Sequence, residues 1–109
     1  MGRTTVDGYC ESLDGVIVAL CSDYPRRAEA LAAGTGERLT LMEYKYLNYK
    51  MAEGAAEIVG ERFAIPYITE IGRRIGYASS VADCISETTY KLKKLEVKLN
   101  IARKLHLLD

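Results

Sequence analysis

The sequence predicts an all-α fold of about five helices, and three observations support that prediction. Apolar residues recur three or four positions apart through most of the 109 residues, a spacing that places them on one face of successive helices. Runs in which apolar and polar residues alternate, as they do in strands, are almost absent. Residues that typically begin or end helices stand between the periodic segments, namely Pro25, Gly34, Pro66, Gly76 and Ser86.

The N-terminal part, residues 1–62, is predicted to form a helical hairpin followed by a long helix. The hairpin is expected to turn at Asp23–Pro25, because proline fits the first turn of a helix and disrupts a helix interior. A short second helix then covers residues 25–33 and ends at Gly34–Gly36, a typical C-terminal cap and loop. The first helix presents a stripe made of Val6, Cys10, Leu13, Ile17, Leu20 and Cys21.

The third predicted helix runs from about residue 37 to residue 61 and has an apolar face. That face consists of Leu39, Met42, Tyr46, Tyr49, Ala56, Val59 and Phe63. Tyrosines on an amphipathic helix usually bury their rings and keep the hydroxyl group in water, which is the behaviour expected of Tyr44, Tyr46 and Tyr49. Stacking of these rings on nucleic-acid bases is the alternative.

The C-terminal part, residues 63–109, is predicted to contain two helices joined by a linker. The first opens at Ala64–Pro66, with the proline in its first turn, and stops at Gly76. The last helix begins at Ser86, a favourable N-cap residue, and extends to about His106. Ile71, Gly72, Ile75 and Gly76 resemble the first helix of a helix-turn-helix-like unit, and that resemblance implies that Gly72 is small because the two helices cross closely there.

Two apolar stripes lie on nearly opposite faces of the last predicted helix. One contains Thr88, Leu92, Leu95, Leu99, Ala102 and His106, and the other contains Tyr90, Val97, Ile101, Leu105 and Leu108. One stripe is expected to pack within its own domain, and the other against the N-terminal helices or a second copy of the chain. The second possibility predicts a homo-oligomer, most simply a dimer.

Charge is balanced over the chain, at 15 Lys and Arg against 15 Asp and Glu, but it is unevenly distributed. Residues 1–85 hold nine basic and twelve acidic residues, a net charge of −3, whereas residues 86–109 hold six basic and three acidic residues, a net charge of +3. Concentration of positive charge on the last helix favours a polyanionic partner.

The sequence contains no arrangement of residues that predicts an enzyme, a metal site, a cofactor or a small-molecule substrate. His106 is the only histidine, and the segment at residues 34–38 has the glycines of a phosphate-binding loop without its lysine and serine. The three cysteines are odd in number and widely spaced, so we expect them to act as small buried hydrophobes. The longest apolar run, residues 16–20, is too short to cross a membrane, and a cytoplasmic location is expected.

Two segments of the C-terminal part resemble a known DNA-binding motif. Ile71-Gly72-x-x-Ile75-Gly76 resembles the first helix of many helix-turn-helix units, and Ser86-x-Thr88-x-x-x-Leu92-x-x-Leu95 resembles the second. Residues 23–106 as a whole are similar to small phage and prophage transcription activators of the RinA/ArpU type. The linker from Tyr77 to Ile85 is nine residues long, against three or four in the usual motif. It is either an inserted turn, with a short helical piece at residues 80–84, or a sign that the pair is no true helix-turn-helix.

The resemblance implies a transcriptional regulator that reads double-stranded DNA with its basic last helix. The residues it implies at base edges are Glu87, Tyr90, Lys91 and Lys94, on the exposed side of that helix near its start. Lys93 and Lys98 suit phosphate contacts, and Arg73 and Arg74 are expected near the DNA backbone.

An alternative interpretation of the same helix involves no DNA. Its lysines and arginines then only solubilise a helix surface, and the chain is a structural or interaction protein that oligomerises through its last helix, such as a phage assembly factor. Near-zero net charge and the long linker favour this alternative.

Overall fold

Four helices make up the described part of the chain. A computed structural model describes residues 8–77 and 85–108. The helices are α1 (Glu11–Ala33), α2 (Arg38–Val59), α3 (Glu61–Arg73) and α4 (Glu87–Lys104), and these residues include no strand. The all-α prediction is confirmed. The helical piece predicted at residues 80–84 lies outside the described residues.

The first helix is longer than predicted, because α1 continues through Pro25 to Ala33. A proline inside a helix removes one backbone hydrogen bond and costs about 3 kcal/mol, so contacts elsewhere must offset that cost. Just after the proline, Arg27 is buried, and its Nη2 donates to the carbonyl oxygen of Leu20 at 2.7 Å, across the turn that Pro25 interrupts. The hairpin predicted to turn at Asp23–Pro25 therefore turns after α1 instead, where Gly34 adopts a left-handed φ of 68°.

The other helix ends differ from the predicted ones by a few residues. One glycine, Gly60, both ends α2 and begins α3, so α3 starts at Glu61 and Pro66 lies in its interior rather than in its first turn. The helix stops at Arg73 before reaching Gly76, because Arg74 takes up the left-handed conformation. The cap predicted at Ser86 is confirmed, since its Oγ accepts a hydrogen bond from the Thr89 N–H at 3.1 Å.

All four helices contribute to a single core. Its buried hydrophobic residues are Ile17, Val18, Cys21, Met51, Ala55, Ala64, Tyr67, Ile68, Ile71, Tyr90, Val97, Ile101 and Ala102. The stripe of α4 that contains Tyr90, Val97 and Ile101 is packed within the chain, since all three residues are buried. The other stripe is divided: Leu99 and Ala102 are buried, whereas Thr88, Leu92 and His106 are exposed, Leu92 by 54%. Packing of its exposed part against a second copy stays a prediction.

Among the cysteines, Cys21 behaves as expected and Cys10 does not. Cys21 is buried in the core, and that burial raises the pKa of its thiol to about 12. Cys10 is exposed just before α1, and Cys84 lies outside the described residues. None of the described helices combines the length and apolar content that a bilayer span requires.

Two glycines allow helices to cross at short distance. A Cβ atom on Gly72 would lie 2.6 Å from the backbone nitrogen of Ser22, so α3 and α1 touch backbone to backbone there. A Cβ atom on Gly54 would lie 3.3 Å from the Cα of Ile101, where α2 crosses α4. The sequence predicts a close crossing at Gly72, but its partner is α1 and not the last helix. The close approach of the α1 backbone is therefore what requires a glycine at this position.

Replacement of Gly72 by alanine is expected to lower the free energy of unfolding by about 1–3 kcal/mol, because the new methyl group meets rigid backbone. The matched control is Gly15→Ala in α1, where an added Cβ meets nothing within 4 Å. That change is expected to raise stability by about 0.5–1 kcal/mol through helix propensity alone. Urea unfolding followed by circular dichroism measures both, and equal effects would contradict the close crossing.

Candidate functional site

Tyr90, predicted to face DNA, is instead a core residue with 1% of its surface exposed. Its hydroxyl group donates to Glu70 Oε1 at 2.8 Å and lies 3.3 Å from the carbonyl oxygen of Ile75. Its ring packs against those of Tyr67 and Tyr77, with centroids 5.8 and 5.7 Å away. The expected exposure of Tyr90 is wrong because a tyrosine buries a large apolar ring whenever its hydroxyl finds partners in the core.

Lys94 connects the start of α4 to the end of α3. Its Nζ donates to the carbonyl oxygen of Ile75 at 3.0 Å and lies 5.2 Å from the centre of the Tyr90 ring. Burial lowers the pKa of Lys94, and the charge of Lys98 lowers it further, against the opposite effect of Glu70. The position predicted to read bases therefore helps to hold the fold.

Lys98, predicted to contact phosphate, pairs with Asp14 at the start of α1, with Nζ and Oδ1 2.8 Å apart. The hydroxyl group of Tyr9 donates to the same carboxylate. Partial burial raises the pKa of Asp14, but hydrogen bonds from Lys98 and Tyr9 outweigh it and place the pKa below its ordinary value. Burial, and then the hydrogen bond to Asp14, raise the pKa of Tyr9. This cluster ties the beginning of α1 to the middle of α4.

The rest of the predicted DNA-binding set lies at the surface. Arg73 and Arg74 are exposed at the end of α3, next to Ile75, whose carbonyl oxygen accepts the hydrogen bond from Lys94. Lys91 pairs with Glu87 one turn away at 3.0 Å, and both side chains are more than half exposed. Lys93 pairs with Glu96 at 3.6 Å. Of the predicted cationic residues, the structure thus leaves Arg73, Arg74 and Lys91 exposed.

A row of exposed apolar side chains runs along α2, and the sequence did not predict its exposure. Leu39 is 73% exposed, Met42 57%, Tyr46 46% and Tyr49 62%. We call these four residues the outer face of α2. They were expected to be the buried side of the helix, with only the tyrosine hydroxyls in water. A contiguous apolar row of this kind is the usual mark of an interaction surface.

The outer face is exposed because the opposite face of α2 holds the buried guanidinium group of Arg27. The Nε of Arg27 donates to Asn48 Oδ1 at 2.7 Å, and its Nη2 lies 3.2 Å from the sulfur of Met51. Its Nη1 pairs with Asp23 Oδ2 at 3.1 Å. Asn48 in turn donates from Nδ2 to the carbonyl oxygen of Tyr24 at 3.3 Å. These contacts turn Asn48 and Met51 inward and therefore turn the outer face to solvent.

A shallow groove of about 540 Å³ continues the outer face toward the C-terminal end of α2. Its floor is made of small side chains from α2 and α3, and its walls include Tyr49 and Ile65. Carboxylates surround it; the lining residues are Tyr49, Ala52, Glu53, Ala56, Glu57, Glu61, Ala64 and Ile65. Lys104 of α4 contacts two of the carboxylates from one side, at 2.6 Å from Glu57 and 3.6 Å from Glu53. We call this feature the acidic groove.

Because the pKa of Asp14 is lowered by folding, its ion pair stabilises the protein above the ordinary carboxyl pKa and stops doing so as pH falls through the lowered value. At neutral pH, Asp14→Asn is expected to reduce the free energy of unfolding by about 0.5–1 kcal/mol, a figure discounted for the partial exposure of the pair. The difference from wild type should vanish at pH values below the lowered pKa. Urea unfolding at a series of pH values measures it. Glu29→Gln, an equal charge change at an exposed position of α1, should show no such convergence.

Comparison of the chain with known protein families, with curated proteins and with solved structures gives no match.

Proposed function

We propose that the chain is a helical interaction protein that self-associates through the outer face of α2. The observation that supports this function best is the row formed by Leu39, Met42, Tyr46 and Tyr49, each about half exposed or more in a chain of 109 residues. Covering such a row removes apolar surface from water, which is the main favourable contribution to most protein associations. We assign the interacting surface to α2 because four large apolar side chains are exposed in a row on that helix, whereas Leu92 is the exposed large apolar residue of α4.

The expected association is moderate in strength. A single helix face offers limited area, and association costs about 4–15 kcal/mol in lost translational and rotational freedom and in ordering of side chains. We therefore expect a dissociation constant in the micromolar range, so that the oligomeric state depends on protein concentration.

Sedimentation equilibrium of the wild-type chain is expected to give a mass that rises above 12.1 kDa with concentration. The double variant Leu39→Glu/Tyr46→Glu should remain monomeric, because two carboxylates would have to be desolvated in the contact. Its helical content should be unchanged, since both side chains are exposed. Leu92→Glu, at an exposed leucine of α4, is the matched control and should associate like wild type. A 12.1-kDa monomer for the wild type at all micromolar concentrations would contradict the proposed function.

Binding to duplex DNA, as the resemblance implies, is the second candidate function. The observation that favours it is the exposure of Arg73 and Arg74 at the end of α3, next to Ile75, whose carbonyl oxygen binds α4. The hydrogen bond from Lys94 to the carbonyl oxygen of Ile75 holds these two helix ends together. The intramolecular partners of Lys91, Lys93 and Lys98 weigh against it, because an ion pair within the chain already satisfies part of each charge.

If this second function operates, Arg73→Glu combined with Lys91→Glu should weaken binding to all duplex sequences. The dependence of log K on log salt should flatten by about one unit for each phosphate that is no longer neutralised. Fluorescence anisotropy with a labelled duplex at several salt concentrations measures both effects. Arg62→Glu, an exposed position at the opposite end of α3, provides the control. Unchanged affinity and slope in the double variant would exclude this end of the bundle as the DNA-binding surface.

A further inference from the structure

The two halves of the α2 surface differ in shape. In the N-terminal half, Leu39 and Met42 project bulky side chains into solvent. In the C-terminal half, Ala52 and Ala56 of α2 and Ala64 of α3 form the floor of the acidic groove. Large side chains in one half and a groove lined by small ones in the other are complementary shapes. They lie on one chain, so they meet only when two copies are brought together.

The two halves also differ in charge. Arg38 and Lys45 are exposed on the N-terminal half, at one edge of the outer face, and Glu43 lies at the other edge. The groove of the C-terminal half has three carboxylates around it. Two lysines pair with two of them: Lys104 of α4 with Glu57 and Glu53, and Lys50 of α2 with Glu53 at 3.7 Å. Two copies aligned in the same direction place like halves together. Two copies aligned in opposite directions place Arg38 and Lys45 against the acidic groove, which favours the antiparallel arrangement over the parallel one.

The spacing along α2 defines one register for the antiparallel arrangement. An α-helix rises about 1.5 Å per residue, so Leu39 and Ala56 lie about 13 Å on either side of the midpoint between Tyr46 and Tyr49. Arg38 and Glu57 lie about 14 Å on either side of the same midpoint. A two-fold axis through that midpoint therefore sets Leu39 over Ala56 of the second copy, Arg38 beside Glu57, and the two tyrosines against each other.

We infer that the partner of the outer face is a second copy of this chain, bound antiparallel about a two-fold axis between Tyr46 and Tyr49. Leu39 of each copy fills the acidic groove of the other, and Arg38 of each copy pairs with Glu57 of the other. This inference rests on the proposed self-association and adds its geometry. The interface is closed, because each copy uses both halves of its surface at once.

An exchange of charges tests the register. Arg38→Glu and Glu57→Arg, made in separate chains, each place like charges opposite one another twice in a dimer, and each is expected to weaken self-association about tenfold. An equimolar mixture of the two variant chains restores opposite charges at both positions and should dimerise within about threefold of wild type. Sedimentation equilibrium gives the dissociation constants, and energy transfer between differently labelled chains shows that the mixed dimer is the species formed.

Because Glu57→Arg also removes an ion pair with Lys104, cross-linking supplies a second measurement. In a background with Cys10→Ser and Cys84→Ser, Met42→Cys and Glu53→Cys chains should cross-link to each other when mixed and oxidised, and hardly at all when oxidised alone. A parallel arrangement would instead cross-link each variant with itself and would overturn the inference. If the wild type dimerises but the mixture of Arg38→Glu and Glu57→Arg chains does not regain dimerisation, the inference is also overturned. If the wild type is monomeric, the proposed self-association itself is wrong.

Discussion

The guanidinium group of Arg27 is the constraint from which the orientation of α2 follows. A charge with 1% of its residue exposed is unfavourable unless hydrogen bonds and an opposite charge compensate it. Its partners are Asp23 and the Leu20 carbonyl oxygen on α1 and Asn48 and Met51 on α2. Asn48 and Met51 lie on one face of α2. Their contacts with the buried guanidinium group therefore determine which face of that helix packs against the core. The apolar row on the opposite face is then exposed. The candidate interaction surface is thus a consequence of the burial of Arg27.

Contacts within the chain also use part of the positive charge of α4, which the sequence analysis assigned to a polyanionic partner. Lys94 bonds the end of α3, Lys98 bonds the carboxylate of Asp14, and Lys104 lies between Glu53 and Glu57. In the sequence, these lysines favour a polyanionic partner. In the structure, they bind carboxylates and a carbonyl group of the chain itself. Lys98 and Lys104 thus attach α4 to carboxylates of α1 and α2 within the bundle.

Helices and caps that depend on residues close in sequence were predictable. Burial and helix contacts that depend on residues far apart in sequence were not. The helical class, the extent of α2 and the cap at Ser86 follow from periodicity and from a single hydroxyl group, all local properties. Periodicity on α2 identified an apolar row but gave no sign of whether the core lies on that side, since the polar pair Arg27 and Asn48 forms only when α1 and α2 meet. The periodicity of the last helix placed Tyr90 in a stripe with Val97 and Ile101, which is buried, whereas the resemblance placed it at the DNA surface. Its hydrogen-bond partner Glu70 is 20 residues away in sequence. Gly72 was identified as a crossing point, although only the fold shows that α1 is its partner.

The joint between α2 and α3, at Gly60, determines the shape of the groove between these helices. Gly60 ends one helix and begins the next with φ 88° and ψ 159°, a conformation essentially restricted to glycine. This one peptide joint sets the angle between the helices that supply the two walls of the groove. Any other residue there would bend the joint and alter the width of the groove without touching a single side chain in it. The proposed two-fold pairing would use the groove twice, so any change of this joint would alter both halves of such an interface at once.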